Sequence, residues 1–329
     1  MATLNLFDLI TLQHNDIFTG LIEDKTTYAP ELSILPVTVR PGITYKVASR
    51  TALPTAGFRA ANSGLTPTKS TFKQQIKEMF YSDCQVAIDE MIVKGDDRSV
   101  GDLISIEAQG ALQSTLINVG SQTYYGQAGD GSNGFVGLRA QMVATASVGG
   151  TTNSTTAYFT WTNPHWGVGY DIGRDGAIAM TPPERLYVPA SALNSGASGN
   201  LWAWCTNISF FIGLSVKSQY SVYGVTGITN ATTGSGAGYF PNGNNTVLYQ
   251  AMTDRAAAQL VSSIPLVRRK GLVVFMNPLA QYTLQQSRSS LNFQVAGSSG
   301  TPAWSSRPVE VEGFPIVVTD SITNTENNT

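Results

Sequence analysis

The spacing of hydrophobic residues first predicts an extended hairpin. From Val37 to Val47 hydrophobic residues alternate with polar ones, and a period of two predicts a strand with one solvated face. A second alternating run from Phe72 to Ile88 predicts its partner strand. The loop of roughly 20 residues between the two runs lacks a pattern of its own, and unstructured loops of that length are usually functional.

A helical pattern follows the hairpin over residues 97–119, where apolar residues recur at helical spacing. Asp96 and Asp97 precede it, and negative charge is favourable at a helix N-terminus. Gly120 is the predicted C-terminal residue. The pattern therefore predicts a single helix of about 30 Å.

The remaining chain combines strand and helix patterns. Residues 121–200 contain short strand candidates such as TTAYFTW, whose order the sequence does not fix, and residues 201–229 form a long β-rich run. A second helix is predicted over 246–265, before a buried strand, GLVVFMNP. Asn277 is suited to N-cap a third helix. Two short strands near the C-terminus complete a pattern that favours an α+β fold.

The composition indicates a subunit that hides surface against copies of itself. The chain has 329 residues, of which 42% are hydrophobic and only 13% charged, whereas free monomers usually carry more surface charge. A secreted β-rich protein is the alternative. The net charge of −2 argues against a nucleic-acid binder by overall field. The first residues lack the basic lead of a signal peptide, and ISFFIGLSV is too short to span a bilayer, so the sequence predicts a soluble chain without membrane contact.

The search for catalytic chemistry favours a protein that is not an enzyme. The two histidines, His14 and His165, are expected to be structural. Residues 129–134, GDGSNG, match a nucleotide-binding pattern by letter only, because the required strand and helix do not flank them. Cys84 and Cys205 cannot form a disulfide framework and are expected to be buried small side chains. We therefore expect no catalytic residue, no metal site and no cofactor.

Charge is segregated around the hairpin. Residues 36–77 contain no acid, and their basic residues are Arg40, Lys46, Arg50, Arg59, Lys69, Lys73 and Lys77. Residues 83–107 are mainly acidic, with Asp83, Asp89, Glu90, Asp96, Asp97, Asp102 and Glu107. Two solvated faces, or a basic loop for nucleic acid, would also fit, but the loop has only Phe58 as a stacking aromatic. Our hypothesis is that the basic hairpin of one copy lies on the acidic region of the next. Such head-to-tail contacts close into rings or shells.

Five segments, in this order, resemble the major capsid proteins of tailed bacteriophages with the Hong Kong 97-like fold. The hairpin has the pattern R-T-x-L-P-T … G … P-x-K-S-T, here Arg50, Thr51, Leu53, Pro54, Thr55, Gly64, Pro67, Lys69, Ser70 and Thr71. The other segments are STLINVGSQTYYG with GFVGL, FFIGLSVKSQYSVYGVTGITN, FMNPLAQYTLQQ and VEGFPIVVTD.

The resemblance implies a domain organisation. Its parts are an N-terminal arm at 1–35, an extended loop (E-loop) at 36–77, a mostly peripheral domain at 78–232 with a spine helix at 97–119, and a mostly axial domain at 233–329. It implies hexamers and pentamers that form an icosahedral shell around nonspecifically packaged double-stranded DNA, assembled in the cytoplasm of a bacterial host.

The resemblance also implies partners. Because the chain begins almost at the arm, the resemblance implies a separate scaffolding protein, or a processed or scaffold-free route. A portal and a cement protein are the other implied partners. The loop lysines Lys46 and Lys69 are conceivable donors for the covalent cross-links of some family members, but nothing identifies their partners, and cross-linking is not predicted. The alternatives are an encapsulin-type compartment protein, a β-rich virion adhesin, and a glycan hydrolase that uses two of the acids.

Overall fold

The structure, a computed structural model, describes residues 30–41, 44–64, 66–95, 100–126, 133–149, 153–160, 164–170, 179–216, 222–229, 251–295 and 306–326. The helices are α1 (Glu31–Ile34), α2 (Glu90–Gly95), α3 (Val100–Tyr125), α4 (Ala190–Leu193), α5 (Asp254–Ser263), α6 (Leu266–Arg269) and α7 (Pro278–Val295). The strands are β1 (Val37–Pro41), β2 (Thr44–Ala52), β3 (Thr71–Glu78), β4 (Phe80–Asp89), β5 (Ala144–Ser147), β6 (Thr155–Thr160), β7 (Pro164–Tyr170), β8 (Ala179–Met180), β9 (Glu184–Pro189), β10 (Asn200–Val216), β11 (Val222–Ile228), β12 (Val273–Met276), β13 (Glu310–Val311) and β14 (Phe314–Val318).

The described strands form two six-stranded sheets and a separate hairpin. The first sheet has the order β1-β7-β10-β4, and β8 and β9 also pair with the long strand β10. The second sheet has the order β13-β14-β12-β6-β11-β5. Strands β2 and β3 form the two-stranded hairpin. Mixed pairing in both sheets, with helices packed on them, makes this an α+β fold.

Strand β6 lies at the centre of the protein because both of its faces are covered. Phe159 is fully buried in a core with α5 and α7, where it lies with Leu260 and Leu284. Tyr158, the next residue, belongs to a second core with Tyr124 of α3 and Phe275 of β12. Successive side chains of a strand point to opposite faces, so the run TTAYFT links the two cores.

The long helix differs from its prediction at its C-terminus. It continues through Gly120 to Tyr125, about one and a half turns beyond the predicted end. Thr123 and Tyr124 in this extension are fully buried, and the Thr123 hydroxyl donates to the Val119 carbonyl at 2.7 Å. Packing therefore extends the helix past a residue that often ends one. Asp96 and Asp97 lie outside the described residues.

The two alternating runs of the predicted hairpin are each divided between two sheets. Val37–Pro41 pairs in parallel with β7 in the first sheet, and the hairpin strand begins only at Thr44. In the second run, Met79 separates hairpin strand β3 from β4, which pairs with β10. The predicted alternation is present, but each run has two different sets of neighbours.

The C-terminal helices follow the sequence pattern with one shifted boundary. Asn277 N-caps α7, because its side-chain oxygen accepts the Ala280 N–H at 2.8 Å. Helix α5 begins later than predicted, after Thr253, whose hydroxyl accepts the Ala256 N–H at 3.2 Å. Residues 1–29 of the predicted N-terminal arm, which include His14, lie outside the described residues, and so do residues 230–250.

Candidate intersubunit surface

The hairpin stands apart from both large sheets. Among the described strands, β2 and β3 pair only with each other, from Thr44 opposite Glu78 to Ala52 opposite Thr71. Most side chains of β3 are exposed, and burial increases only towards its base. A two-stranded hairpin without a covering layer is marginal in water. Its stability in solution therefore depends on further contacts.

One side of the hairpin, here the open face, combines cations with uncovered apolar groups. The register places Lys46 opposite Ile76 and Arg50 opposite Phe72. Ile76 is 63% exposed and Phe72 62% exposed, which is unusual for apolar side chains in a strand. The Arg50 guanidinium lies 5.3 Å from the centre of the Phe72 ring, within the range of a cation–π contact. A basic and apolar surface of this kind is suited to binding another protein.

The predicted basic residues do not share one face. Lys73 is paired opposite Ser49, and Lys77 opposite Tyr45, so both project to the other side of the hairpin. Burial lowers the pKa of Lys77. Arg59 and Lys69 lie in the tip, whereas Arg40 belongs to β1 of the first sheet.

The tip of the hairpin, residues 53–70, is folded by its own hydrogen bonds. The Thr68 hydroxyl accepts the Thr55 N–H at 2.9 Å, and it lies 3.2 Å from the Thr55 carbonyl oxygen, to which it donates. Arg59 donates to the Ser63 carbonyl at 2.8 Å across a turn in which Asn62 has a φ of 63°. Phe58 is fully exposed at this ordered tip. The tip thus presents an aromatic ring on a fixed backbone.

The predicted acidic residues are also divided between surfaces. Val86 and Ile88 of β4 pack against the start of α3. Successive side chains of a strand alternate between its faces, so Asp83 projects to the other side of the sheet. Asp102 lies on α3, and so does Glu107. The structure therefore does not gather the acids into one patch.

Asp89 and Glu90 contact other residues at the start of α2 and on the neighbouring strand β9. Asp89 accepts the Met91 N–H at 2.9 Å at the start of α2. Glu90 lies 2.8 Å from the Lys94 ammonium and 2.6 Å from the Arg185 guanidinium. Hydrogen bonds from Lys94 and Arg185 lower the pKa of Glu90. The charge of Glu90 is balanced internally, which makes it a weak candidate for an intersubunit ion pair.

A cavity of about 330 Å³ lies where the hairpin joins the body of the protein. Its walls are the first residues of β4, the C-terminal part of α3 and the loop that follows, with residues Phe80, Tyr81, Ser82, Asn118, Val119, Gln122, Asn133, Gly134, Phe135 and Ile212. Val119 and Phe135 are buried at its floor, while Asn118 and Asn133 are exposed at its rim. An apolar floor with an amide rim can accept an aromatic side chain.

Close backbone contacts fix the wall of this cavity. The Gln122 side chain donates to the Phe135 carbonyl at 3.0 Å, and Gly137 N–H donates to the Gly126 carbonyl. A Cβ on Gly137 would lie 2.6 Å from the Tyr124 carbonyl oxygen, so only glycine fits there. Both glycines belong to the segments TYYG and GFVGL. The sequence does not predict the cavity, because its walls meet only in three dimensions.

The described residues give no indication of a catalytic centre. Within these ranges, no three His, Cys, Asp or Glu side chains are grouped as metal ligands would be. Cys205 is buried and Cys84 half-buried, and both are free thiols. The backbone of His165 lies within β7. None of the described helices is long and apolar enough to cross a membrane.

Comparison with known proteins identifies the fold. No protein-family model and no curated protein matches the sequence. A chain in a near-atomic resolution structure of bacteriophage Epsilon15 is similar, with a TM-score of 0.68 and 15% sequence identity over 100% of this chain and 98% of that one. The capsid of bacteriophage JBD30 matches with a TM-score of 0.48 and 9% identity, over 95% and 97% of the two chains.

The capsid of Myoviridae phage XM1 matches with a TM-score of 0.46 and 9% identity, over 63% of this chain and 95% of that one. The scores for JBD30 and XM1 lie below 0.5, so the assignment rests on Epsilon15. The chain has the fold of that phage chain over its whole length. This confirms the predicted α+β class, and the Hong Kong 97-like fold is consistent with it.

Proposed function

We propose that this chain is the major capsid protein of a tailed bacteriophage. In this role it assembles as hexamers and pentamers into an icosahedral shell around double-stranded DNA and has no enzymatic activity. The observation that carries the proposal is the likeness in fold to a chain of bacteriophage Epsilon15, which extends over essentially all of both chains. The resemblance of five sequence segments to tailed-phage capsid proteins supports it independently of the structure.

The surface of a single copy supports a role in assembly. Large apolar side chains are exposed on the hairpin and also at Met91, which is 82% exposed, and at Val267, which is 84% exposed. Only 13% of the residues are charged. Exposed apolar groups on a weakly charged surface favour association. A scaffolding protein, a portal and a cement protein are proposed as further partners, and few nonspecific contacts with DNA are proposed because charge is scarce.

The test of the proposal is the size of the particles that the chain forms. We would purify the chain alone, follow it by light scattering over a range of concentrations and with a crowding agent, and image the large fraction by negative-stain electron microscopy. Closed shells or rings of five and six copies are the expected result. A closed trimer that persists as the sole species under all these conditions, and also after addition of a scaffolding protein, would contradict the proposal.

Within this function, we propose that the hairpin is an intersubunit strap that contacts the acidic region of the next copy. The open face supports this role because it combines Lys46 and Arg50 with exposed apolar neighbours. Head-to-tail contacts of this kind generate rings and shells. Asp83, Asp102 and Glu107 are the proposed acidic partners of the hairpin.

Charge reversal tests the strap separately from the fold. Lys46→Glu with Arg50→Glu should abolish assembly, and it should also prevent co-assembly with the unmodified chain. The matched control reverses two exposed cations elsewhere, Lys270→Glu with Arg307→Glu, and should assemble. Normal assembly of the hairpin variant would refute the strap. Loss of assembly in both variants would show a response to net charge instead.

A further inference from the structure

We infer that Phe58, at the hairpin tip of one copy, inserts into the cavity between β4 and α3 of a neighbouring copy. This inference rests on the proposed function, because it requires the chain to assemble. It names the second copy of this chain as the occupant of the cavity.

The exposure of Phe58 is the first argument. Its ring is fully exposed, although the Thr55–Thr68 and Arg59–Ser63 hydrogen bonds order the surrounding tip. A fully exposed aromatic ring on a rigid loop loses little conformational entropy when it binds. Aromatic side chains of this type frequently contribute most of the binding free energy of an interface.

The shape of the cavity is the second argument. Its volume of about 330 Å³ exceeds the roughly 150 Å³ that already admits a benzene ring in a protein interior. Val119 and Phe135 at the floor would cover the ring, while the Asn118 amide at the rim can bind the backbone of the tip.

The geometry of the hairpin excludes the cavity of its own chain. The cavity includes Phe80 and Tyr81, which directly follow the base of the hairpin. Fourteen residues separate Thr44 from Phe58, so a paired and extended hairpin carries its tip as much as about 45 Å from that base. Tip and cavity lie at opposite ends of the extended hairpin, which makes the contact head-to-tail and able to close a ring.

Charge gives a compatible register along α3. Glu107 and Asn118 are eleven residues apart, so they lie on the same side of the helix, about 17 Å from each other. The Thr55–Thr68 hydrogen bonds place Lys69 level with residue 54, about 13 Å from Phe58 at most. A tip seated in the cavity and a hairpin lying along α3 would therefore bring Lys69 towards Glu107, with opposite charges.

Site-specific photocross-linking tests the inference. Phe58 is replaced by p-benzoylphenylalanine, particles are assembled from isotope-labelled and unlabelled copies, and cross-linked peptides are mapped by mass spectrometry after irradiation. The expected cross-links join two copies and reach residues 80–82, 118–122 or 133–135. The same photoreactive residue at Tyr187, which is 58% exposed on β9, is the control and should not reach these peptides.

Two simple variants extend the test. Phe58→Ala should raise the concentration needed for half-maximal assembly about tenfold, with unchanged thermal unfolding of the single chain. Asn118→Trp, which fills the cavity entrance from an exposed helix position, should have a similar effect. Cross-links from position 58 that map elsewhere in assembled particles would overturn this inference alone. A closed trimer as the sole product of the unmodified chain, with or without a scaffolding protein, would overturn the proposed function and this inference with it.

Discussion

Strands β6 and β3 show how differently two parts of this molecule are stabilised. Every residue of β6, from Thr155 to Thr160, is buried, and the strand is paired on both edges by β11 and β12. Strand β3 has one partner, and its apolar residues Phe72 and Ile76 remain exposed. Both strands contain β-favouring residues, so local propensity does not explain the contrast.

The difference indicates where the free energy of each region comes from. Strand β6 gains hydrophobic stabilisation on folding, because its neighbours within the chain cover both faces. The hairpin keeps its apolar groups in water until another molecule covers them. Its remaining stabilisation is expected to come with assembly. Substitutions in β6 should therefore alter folding, and substitutions in the hairpin should alter association.

The largest expected effect comes from deleting matched aromatic rings in the two strands. Phe159→Ala leaves a cavity in the core and should lower the free energy of unfolding by about 3–5 kcal/mol. Phe72→Ala removes an exposed ring and should change it by about 0.5 kcal/mol or less. Urea denaturation of the unassembled chain measures both values.

A conservative variant controls for this comparison. Phe159→Leu keeps most of the buried volume and should cost roughly 1.5 kcal/mol or less. Equal losses of stability in Phe159→Ala and Phe72→Ala would show that the hairpin is part of the same cooperative core, contrary to the contrast drawn from their burial.

A smaller effect is expected from adding one methyl group at a glycine in each region. In Gly137→Ala the new Cβ would lie 2.6 Å from the Tyr124 carbonyl oxygen, and we expect a loss of about 1–3 kcal/mol. At Gly64 in the hairpin tip no atom lies within 4 Å of the new Cβ. Gly64→Ala should be neutral or stabilise by up to about 1 kcal/mol, by restricting the unfolded chain. Thermal unfolding distinguishes the two, and a destabilised Gly64→Ala would contradict the isolation of the tip.

A pH-dependent effect is expected at the root of the N-terminal segment. Glu31 is fully buried and accepts a hydrogen bond from the Thr319 hydroxyl at 2.8 Å. Burial raises the pKa of Glu31 above its ordinary value of 4.5, and the nearby charge of Asp320 also raises it. Burial raises the pKa of the neighbouring Tyr124 hydroxyl, and the charge of the Glu31 carboxylate raises it further. The folded protein therefore favours the protonated form of Glu31.

The sign of the pH dependence follows from this shift. The contribution of Glu31 to stability is fully present below pH 4.5 and is lost as the pH rises through the raised folded pKa. Glu31→Gln should remove this dependence and should be the more stable form at neutral pH, by about 1 kcal/mol. Melting temperatures of both proteins from pH 4 to 8 give the test, and parallel profiles would show that Glu31 does not titrate in this range.

Local sequence patterns predicted single helices and strands, but they did not predict which strands pair with each other. The cap at Asn277 was predicted because a side chain that binds the first turn needs only nearby residues. The division of the second alternating run at Met79 was not, because alternation reports which residues share a face and not which strand lies beside them. The even-numbered residues are exposed in β3, whereas the even-numbered residues of β4 are half-buried or buried.

The candidate surface shows the same limit. The sequence gives the charges of Lys46 and Arg50, and the alternation of residues predicts that Lys46 lies on the solvated face of its strand. Their pairing with Ile76 and Phe72 depends on the hairpin register, which the long loop left undefined. The cavity depends on a contact between Gln122 and Phe135 across a loop, and no spacing rule encodes it.

The smallest expected effect separates the stacking of Arg50 from its charge. In the hairpin the Arg50 guanidinium lies 5.3 Å from the Phe72 ring centre, and an exposed contact of this kind contributes about 0.5 kcal/mol. Arg50→Lys keeps the charge but weakens the stacking. Amide hydrogen exchange in β2 and β3 of the unassembled chain should become about twofold faster, while exchange in β6 stays unchanged. Assembly should persist, because the strap requires the charge. If Arg50→Lys prevents assembly as Arg50→Glu does, the planar guanidinium is recognised directly, and the basic character of the open face is not sufficient for binding.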